Sequence, residues 1–499
     1  MRQLTSVDAQ FIALEDGRNH AHVSSLAIYD PASAPGGELT LDAVRELIEG
    51  RLHLLAPFRW RLTEVPFGID HPYWVDDPDF DLDFHLRELA LPTPGDDRML
   101  AEQVARIVSR QLDRAHPLWE LYLIHGLEDG RVAVLTKFHH AAVDGASGAE
   151  ILGIMLDLEP RPKTSEAAAE APPARRDEIP SQLRMLGHGI ARLPRQPLRT
   201  IRGIPRALPH LDQNPMLRHI PGVEAVASAS RRAFRAQPRR RDGGVLEGRS
   251  LHAPRTVINQ PISPHRRLAL SNQSLEEVKL IKNHFGVTVN DVVVTICAAA
   301  LREWLGAMDE LPGDPLVAMI PVSIRTAEEV GTFGNRVSTM LVEIPTDEAD
   351  PAARLRRAGE TLSSAKERHA ATPATALQDA NDMIPPALLA RAARVTTTVA
   401  ARHPSEAPVN TVISNVPGPP IPLYFAGARL EALYPVSAIM DGVGLNLTVM
   451  SYDGALNFGV VADRELVDDP WPLADALQRA QSELLALVST TAAAATPAT

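Results

Sequence analysis

The sequence predicts an α/β (α+β) chain made of two halves around an arginine-rich crossover. Three observations predict it. Segments of strand composition alternate with segments of helical period at both ends of the chain. A stretch of proline, alanine and acidic residues, Glu159 to about Ala174, separates them and reads as a linker. At 499 residues the chain is also too long for one ordinary core.

In the first half, His22-Val23-Ser24-Ser25-Leu26-Ala27-Ile28-Tyr29 has strand composition. Thr40 is placed to cap a helix through Arg51, with Leu41, Val44, Leu47 and Ile48 on one face. A helix from about Met99 to Leu112 carries Leu100, Val104, Ile107, Val108 and Leu112. Two strands follow, Leu118 to His125 and Arg131 to His139. Asp129-Gly130 between them, with alternating apolar flanks, predicts a hairpin with a short loop. A helix from Ala149 to Leu158 ends just before Pro160.

Beyond the linker, Arg175 to Arg249 holds sixteen arginines, no lysine and six acids, in a chain whose net charge is −12. Pro194, Pro197 and Pro205 break any long helix there. The stretch reads as short amphipathic pieces over a surface, with a charge that suits contact with anions.

Regular structure resumes near Ile262. Arg266 to Leu270 reads as a strand, and Ser274-Leu275-Glu276-Glu277 as a capping box for a helix ending near Gly286. Asn290 is a candidate cap for the next helix, with Val293, Ile296, Cys297, Ala300, Leu301 and Trp304 on its apolar face. Strands are expected at Leu316 to Val322, Val337 to Ile344, Val409 to Ser414, Leu445 to Ser451 and Ala455 to Ala462. Helices are expected at Pro351 to Lys366 and Leu473 to Val488. The tail, Thr490 to Thr499, is Ala/Thr/Pro and is expected to be disordered.

Composition excludes several classes. No window reaches ~18 uncharged apolar residues, so a membrane span is not expected. The start lacks the apolar core of a secretory signal, and cytoplasmic residence is the expectation. The single cysteine, Cys297, rules out an intrachain disulfide framework and a cysteine-based zinc site; in its apolar stripe it reads as core. Abundant Arg, Ala and Pro fit a GC-rich bacterial genome.

The candidate chemistry lies in Lys137-Phe138-His139-His140-Ala141-Ala142-Val143-Asp144-Gly145. A histidine leaving a strand end, with Asp-Gly four residues on, has the makings of a general base held in a turn. Spacing alone does not establish this. With 17 histidines, about one His-x-x-x-Asp is expected by chance, and this chain has two. In the other, His125-Gly126-Leu127-Glu128-Asp129-Gly130, the Asp-Gly is needed to turn the hairpin. His140 differs in following a second histidine at a strand end, with Gly145-Ala146-Ser147-Gly148 leading into a helix. His139 and His140 point to opposite faces of a strand, which places them poorly for one metal. The competing reading is that both are structural side chains.

His139-His140-Ala141-Ala142-Val143-Asp144-Gly145 resembles the HHxxxDG motif of the chloramphenicol-acetyltransferase-like superfamily. Further segments resemble the bacterial wax ester synthase/acyl-CoA:diacylglycerol acyltransferases. These are Leu4-Thr5-Ser6-Val7-Asp8-Ala9-Gln10-Phe11, Pro117-Leu118-Trp119-Glu120, and Asn259-Gln260-Pro261-Ile262-Ser263-Pro264-His265-Arg266. Later come Val289-Asn290-Asp291-Val292-Val293, Pro321-Val322-Ser323-Ile324-Arg325, Gly334-Asn335 and Ser414-Asn415-Val416-Pro417-Gly418-Pro419. They follow the family's order from residue 4 to beyond 460, leaving out the crossover and the tail.

The resemblance implies a monomer of two superfamily-type domains, with mixed sheets flanked by helices and an active-site tunnel between them. The expected division is an acyltransferase domain at 1–160, the crossover at 161–250, an acyltransferase-like domain at 251–489 and the tail at 490–499. It implies acyl-CoA as donor, with no other cofactor, and diacylglycerol or a long-chain alcohol as acceptor. The catalytic histidine maps to His140, within the set His139, His140, Asp144 and Gly145. Asp144 is expected to shape the turn by pairing with an arginine, for which Arg325 is the candidate.

The chemistry stands beside the resemblance. An alcohol attacks a thioester poorly unless its proton leaves as the bond forms, and an imidazole of pKa near ~6.5 can accept it. With no activated serine or cysteine in evidence, direct transfer without an acyl-enzyme is expected. Asn290 is either an oxyanion donor or an N-cap, with Asp291 favourably near the helix dipole as a structural residue. Trp119 is a packing residue or a tunnel wall. Ser414 and Asn415 are candidate polar contacts to substrate. The basic crossover is either incidental charge, a dock for anionic lipid or an oil droplet, or a site for CoA phosphates. Nucleic acid is disfavoured by the acidic chain and the scarcity of aromatics in this stretch. Two other functions compete: a same-fold transferase fed by an acyl carrier protein, and a non-catalytic lipid-droplet protein. Acceptor preference is not legible, because apolar tunnels discriminate weakly by chain.

Overall fold

The computed structural model describes residues 2–66, 70–143, 145–160, 251, 253–323, 337–370, 406–407 and 409–494. The arginine-rich crossover therefore lies outside the described residues. The first half runs β1 (Arg2–Gln3), α1 (Ser6–Leu14), β2 (His22–Asp30), α2 (Leu41–Arg51), α3 (Ala56–Arg59), β3 (Trp60–Thr63), β4 (Tyr73–Asp76), α4 (Leu82–His85), β5 (Leu86–Ala90), α5 (Asp97–Val108), β6 (Trp119–His125), β7 (Val132–His139) and α6 (Gly145–Met155). The second half runs β8 (Ala253–Pro254), β9 (Arg266–Ser274), α7 (Leu275–Phe285), α8 (Val289–Ala307), β10 (Leu316–Ser323), β11 (Val337–Ile344) and α9 (Pro351–Ala370). It continues with β12 (Glu406–Ala407), β13 (Thr411–Val416), β14 (Tyr424–Phe425), β15 (Ala428–Val436), β16 (Leu445–Tyr452), β17 (Ala455–Asp463) and α10 (Trp471–Ala494).

Two mixed six-stranded sheets carry the fold, ordered β14-β15-β2-β7-β6-β5 and β11-β10-β13-β16-β17-β9. The first is antiparallel except for the β5–β6 pair; the second has parallel pairs at β10–β13 and β13–β16. The expected α/β class and flanked mixed sheets are what the chain forms. Two strands depart from chain order, β14 and β15, which lie at the edge of the first sheet. β15 belongs to the second half yet pairs antiparallel with β2 of the first sheet, from Arg429 opposite Asp30 to Val436 opposite Ser24.

The local signals explain most elements. Thr40 Oγ1 accepts the Ala43 amide and caps α2 as expected. The Glu277 amide donates to Ser274 Oγ, so Ser274 caps α7. The expected reciprocal half of that box is not what the Glu277 side chain does, because it accepts from Gln481 Nε2 of α10 at 2.6 Å instead. α1 has no counterpart among the sequence expectations, although Thr5 and Asp8 form a complete capping box. α6 begins at Gly145 and stops at Met155, earlier at both ends than expected; beyond its end Asp157 pairs with Tyr424 through both backbone bonds instead of continuing the helix. α10 runs past Val488 to Ala494, so the alanine-rich tail extends the helix instead of leaving it; residues 495–499 lie outside the described residues.

α8 is the spine of the second half. Val292, Ile296, Cys297, Ala300, Leu301 and Leu305 are buried in a core shared with β10, β13, β16, β17 and the helices α9 and α10, and each large side chain so buried stabilises by about 1.5–3 kcal/mol. Cys297 is core as expected, its thiol pushed up to about 12 by burial. No single described helix is long and apolar enough to cross a membrane. The two sheets meet where β15 crosses β17: a Cβ on Gly459 would overlap the Pro435 carbonyl oxygen, so only glycine lets the backbones close.

Polar contacts also tie the halves together. The Arg266 guanidinium donates to the Arg18 carbonyl at 2.6 Å and to the Ser263 carbonyl at 2.7 Å. Arg18 in turn lies 3.3 Å from Asp441. Burial pulls Arg266 down to about 10, although Asp463 and Asp441 oppose the shift.

Candidate active site

The two motif histidines occupy different environments. His139 ends β7 and is fully buried. Its amide donates to the Leu118 carbonyl at 3.0 Å, and its ring Nδ1 accepts the Ala141 amide at 3.0 Å. Nδ1 is therefore unprotonated, and the ring proton lies on Nε2. That nitrogen is 3.5 Å from Oε2 of Glu15. His140 leaves the strand and is half-buried. Its amide donates to the Ala21 carbonyl at 2.7 Å, and its imidazole stacks on Phe11 with centroids 4.2 Å apart and planes 11° apart. The Ala142 amide closes the turn onto the His139 carbonyl at 2.9 Å. Ala141, Ala142 and Val143 are buried in the core beneath α2 and α6. Gly145 starts α6 just beyond. Asp144 and Arg325, the expected pair, lie outside the described residues, as do Gly334 and Asn335.

The competing copy of the pattern has another setting. His125 ends β6 with Nε2 2.9 Å from Glu88, and Asp129 and Gly130 both take positive φ to turn the hairpin.

Glu15 is the site residue that sequence reasoning missed. It caps the C-terminus of α1, where the helix dipole disfavours an acid, and it is buried. Oε1 lies 3.4 Å from His22 Nε2, and Oε2 accepts from the Arg114 guanidinium at 2.8 Å. Burial alone would raise its carboxyl. His139, His22 and Arg114 outweigh that and hold it well below the usual carboxylate range. His22 stands directly opposite His139 across β2–β7, and His20 stacks beside it at 5.5 Å. Burial pulls His20 down to about 4 and His22 to about 3, so both are neutral near neutral pH. Lys137, two residues before His139, is likewise buried, with Nζ 2.5 Å from the Arg110 carbonyl and 3.4 Å from Glu120.

Trp119, expected as a packing residue or a substrate-contacting tunnel wall, is 1 % exposed. Its indole N–H donates to the Phe58 carbonyl at 2.8 Å, and its ring packs between Phe58 and His85. The structure places it in the core with packing as its visible role.

The helix that carries the second-half motif is capped by Thr288, not by Asn290. The Asp291 amide donates to Thr288 Oγ1, and the Thr288 amide donates to Asp291 Oδ2 at 2.8 Å. Two residues that can cap lie close together in this segment, and the box closes on the threonine because its spacing to Asp291 is the required one. Asp291 is thus structural, as expected. Asn290 lies in the first turn of α8, released from capping, and its Oδ1 is 3.5 Å from Asn415 Nδ2. Ser414 does not join them. In β13, Ile413 and Leu447 opposite it face the helices, so Ser414 and Thr448 opposite it face the first sheet. Thr448 there hydrogen-bonds Ser437, just after β15, at 2.9 Å. At the end of the same motif, a Cβ on Gly418 would overlap the Ser451 carbonyl oxygen, which explains the glycine.

Comparison with known proteins identifies the family. Residues 4–293 match the wax ester synthase/diacylglycerol acyltransferase catalytic domain, and residues 333–484 match the WS/DGAT C-terminal domain. A Mycobacterium tuberculosis protein with a provisional diacylglycerol O-acyltransferase name is 33% identical over 97% of this chain and 90% of its own length. The solved wax ester synthase/diacylglycerol acyltransferase from Marinobacter aquaeolei superposes with a TM-score of 0.64 at 30% identity, covering 98% of this chain and 100% of that one. The first condensation domain of the calcium-dependent antibiotic synthetase, 16% identical over 98% of this chain and 97% of its own, shares the fold with a TM-score of 0.53. The chain belongs to the wax ester synthase/diacylglycerol acyltransferase family of acyltransferases.

Proposed function

We propose that this protein moves a long-chain acyl group from acyl-CoA to diacylglycerol, to a long-chain fatty alcohol, or to both. His140 is the general base. Its imidazole takes the hydroxyl proton as the alcohol oxygen attacks the thioester carbon. The new C–O bond forms, the C–S bond breaks, and the proton passes from His140 to the departing thiolate. No acyl-enzyme intervenes, so donor and acceptor meet in one ternary complex, in a passage between the two halves. Asn290, freed from capping, is the candidate donor to the developing oxyanion, a contact that contributes ~3 kcal/mol when well placed.

The observation that carries this reading is the contrast at the motif. His139 is buried and pinned, whereas the neighbouring ring of His140 is half-buried and held in one plane by Phe11. The test supplies labelled palmitoyl-CoA with diacylglycerol or hexadecanol and separates the lipid products. His140→Ala is expected to lose about 10²–10⁴-fold in kcat while its melting temperature stays near that of the wild type. A folded His140→Ala enzyme that keeps substantial activity would overturn the assignment.

In the same reading the protein works in the cytoplasm, docked peripherally on a membrane or lipid inclusion through its basic crossover. The insolubility of acceptor and product supports it. Flotation with anionic liposomes at low and high salt tests this, and binding that ignores salt or is absent counts against it.

A further inference from the structure

We propose that Glu15 is a positioning residue for the reaction, acting through His139 to fix the turn that presents His140. The inference rests on His140 being the base.

The argument starts from the His139 ring. Its Nδ1 accepts the Ala141 amide, and that bond, with the Ala142 amide on the His139 carbonyl, shapes the backbone on both sides of His140. An imidazole in the other tautomer would present N–H to N–H at Ala141 and break the turn. Something must therefore keep the proton on Nε2. The group beside Nε2 is the Glu15 carboxylate, 3.5 Å away without hydrogen-bond geometry, and its negative charge favours a proton there. Only the ionised form does this without ambiguity, because a neutral acid or an amide can also donate.

The surroundings keep Glu15 ionised and in place. Arg114 donates to Oε2 and also to the Ile12 carbonyl of α1 at 2.9 Å, so it grips both the acid and the helix that carries it. His22 faces Oε1, and Lys137 adds positive potential from the same strand as His139. The same α1 carries Phe11 against His140. One short helix thus holds both histidines of the motif, one by a ring face and one by a carboxylate. An acid at the C-terminal end of a helix, buried, runs against local preference. His139, His22 and Arg114 offset that cost.

The test uses full-length protein labelled with ¹⁵N-histidine, with two-bond ¹H–¹⁵N correlations assigned by comparison with His139→Gln. The wild type is expected to show His139 with its proton on Nε2 near neutral pH. A proton on Nδ1, or a doubly protonated ring, overturns the proposal whether or not the Glu15 variants fold. Glu15→Gln is expected to lower kcat by roughly 10- to 100-fold, the size typical of losing a group that orients a functional histidine, with KM for acyl-CoA little changed. Glu15→Asp should recover part of the loss. The double variant Glu15→Gln/His139→Gln should be no slower than His139→Gln alone, since both act on one path. A folded Glu15→Gln enzyme of normal kcat, or fully additive losses, would sink the idea. The tautomer is read without turnover, so an error in assigning His140 as base leaves that result standing and is told apart from an error about Glu15.

Discussion

The imidazole of His140 lies face to face with the phenyl ring of Phe11, 4.2 Å between centroids and 11° between planes. Phe11 is held on α1, which a Thr5–Asp8 box caps, so the ring plane of the candidate base is set by a helix distant from it in the chain. A ring pair of this kind is worth about 0.5–1.5 kcal/mol. Phe11→Leu keeps an apolar side chain and removes the ring face. It should lower kcat by about 2- to 10-fold with little change in KM, as steady-state kinetics with both substrates will read. An unchanged kcat means that the stack does not orient the base.

Thr288 and Asn290 separate capping from chemistry. Thr288→Ala removes a cap and should cost about 1 kcal/mol of stability, seen in denaturant unfolding, while leaving kcat per folded enzyme intact. Asn290→Ala should do the reverse. It is expected to lower kcat by about 10²-fold and to leave stability within about 0.5 kcal/mol. If Asn290→Ala lowers stability and spares kcat, Asn290 is no oxyanion donor.

Trp119→Phe tests whether the indole is structural. The change leaves the Phe58 carbonyl without its donor in a buried site, at a cost of about 1–3 kcal/mol. Thermal denaturation should show the loss, and kcat/KM for folded enzyme should stay within about 2-fold. A selective rise in KM would instead point to substrate contact.

Acid should destabilise the protein in a defined window. His20 and His22 ordinarily titrate near 6.5 but are held down to about 4 and about 3 by burial. Between pH 6.5 and about 4 the unfolded chain takes up protons that the folded chain refuses, so stability falls with pH there and is flat above 6.5 on their account. Glu15 acts in the same direction lower down: its stabilisation is complete above the ordinary value of 4.5 and drains away as pH falls further. Melting curves from pH 8 to 4.5 check this, and His22→Gln should flatten part of the slope. A melting temperature constant from pH 6.5 to 5 would contradict it.

Much of this molecule is legible in its residue order, and the reason is locality. Periodicity, caps and turn residues act within a few positions, so β7, α2, the spine of α8 and the hairpin at Asp129-Gly130 follow from short stretches of chain. The ordered motifs likewise point to the acyltransferase family. Locality also sets the limits. Asn290 and Thr288 are both able to cap, and only the closed box with Asp291 shows which does. The alternation in Ala428–Val436 is present in the sequence, but nothing local says that its partner is β2 in the other half. The same holds for Glu15. As a letter in the sequence it is one acid among many, of a kind usually found on surfaces. Its burial between His22, His139 and Arg114 exists only once α1 has folded back over the end of β7. Residue order alone names the candidates for the chemistry. Which groups hold them in place is settled by tertiary contacts, because side chains far apart in the chain meet only after the sheets have closed.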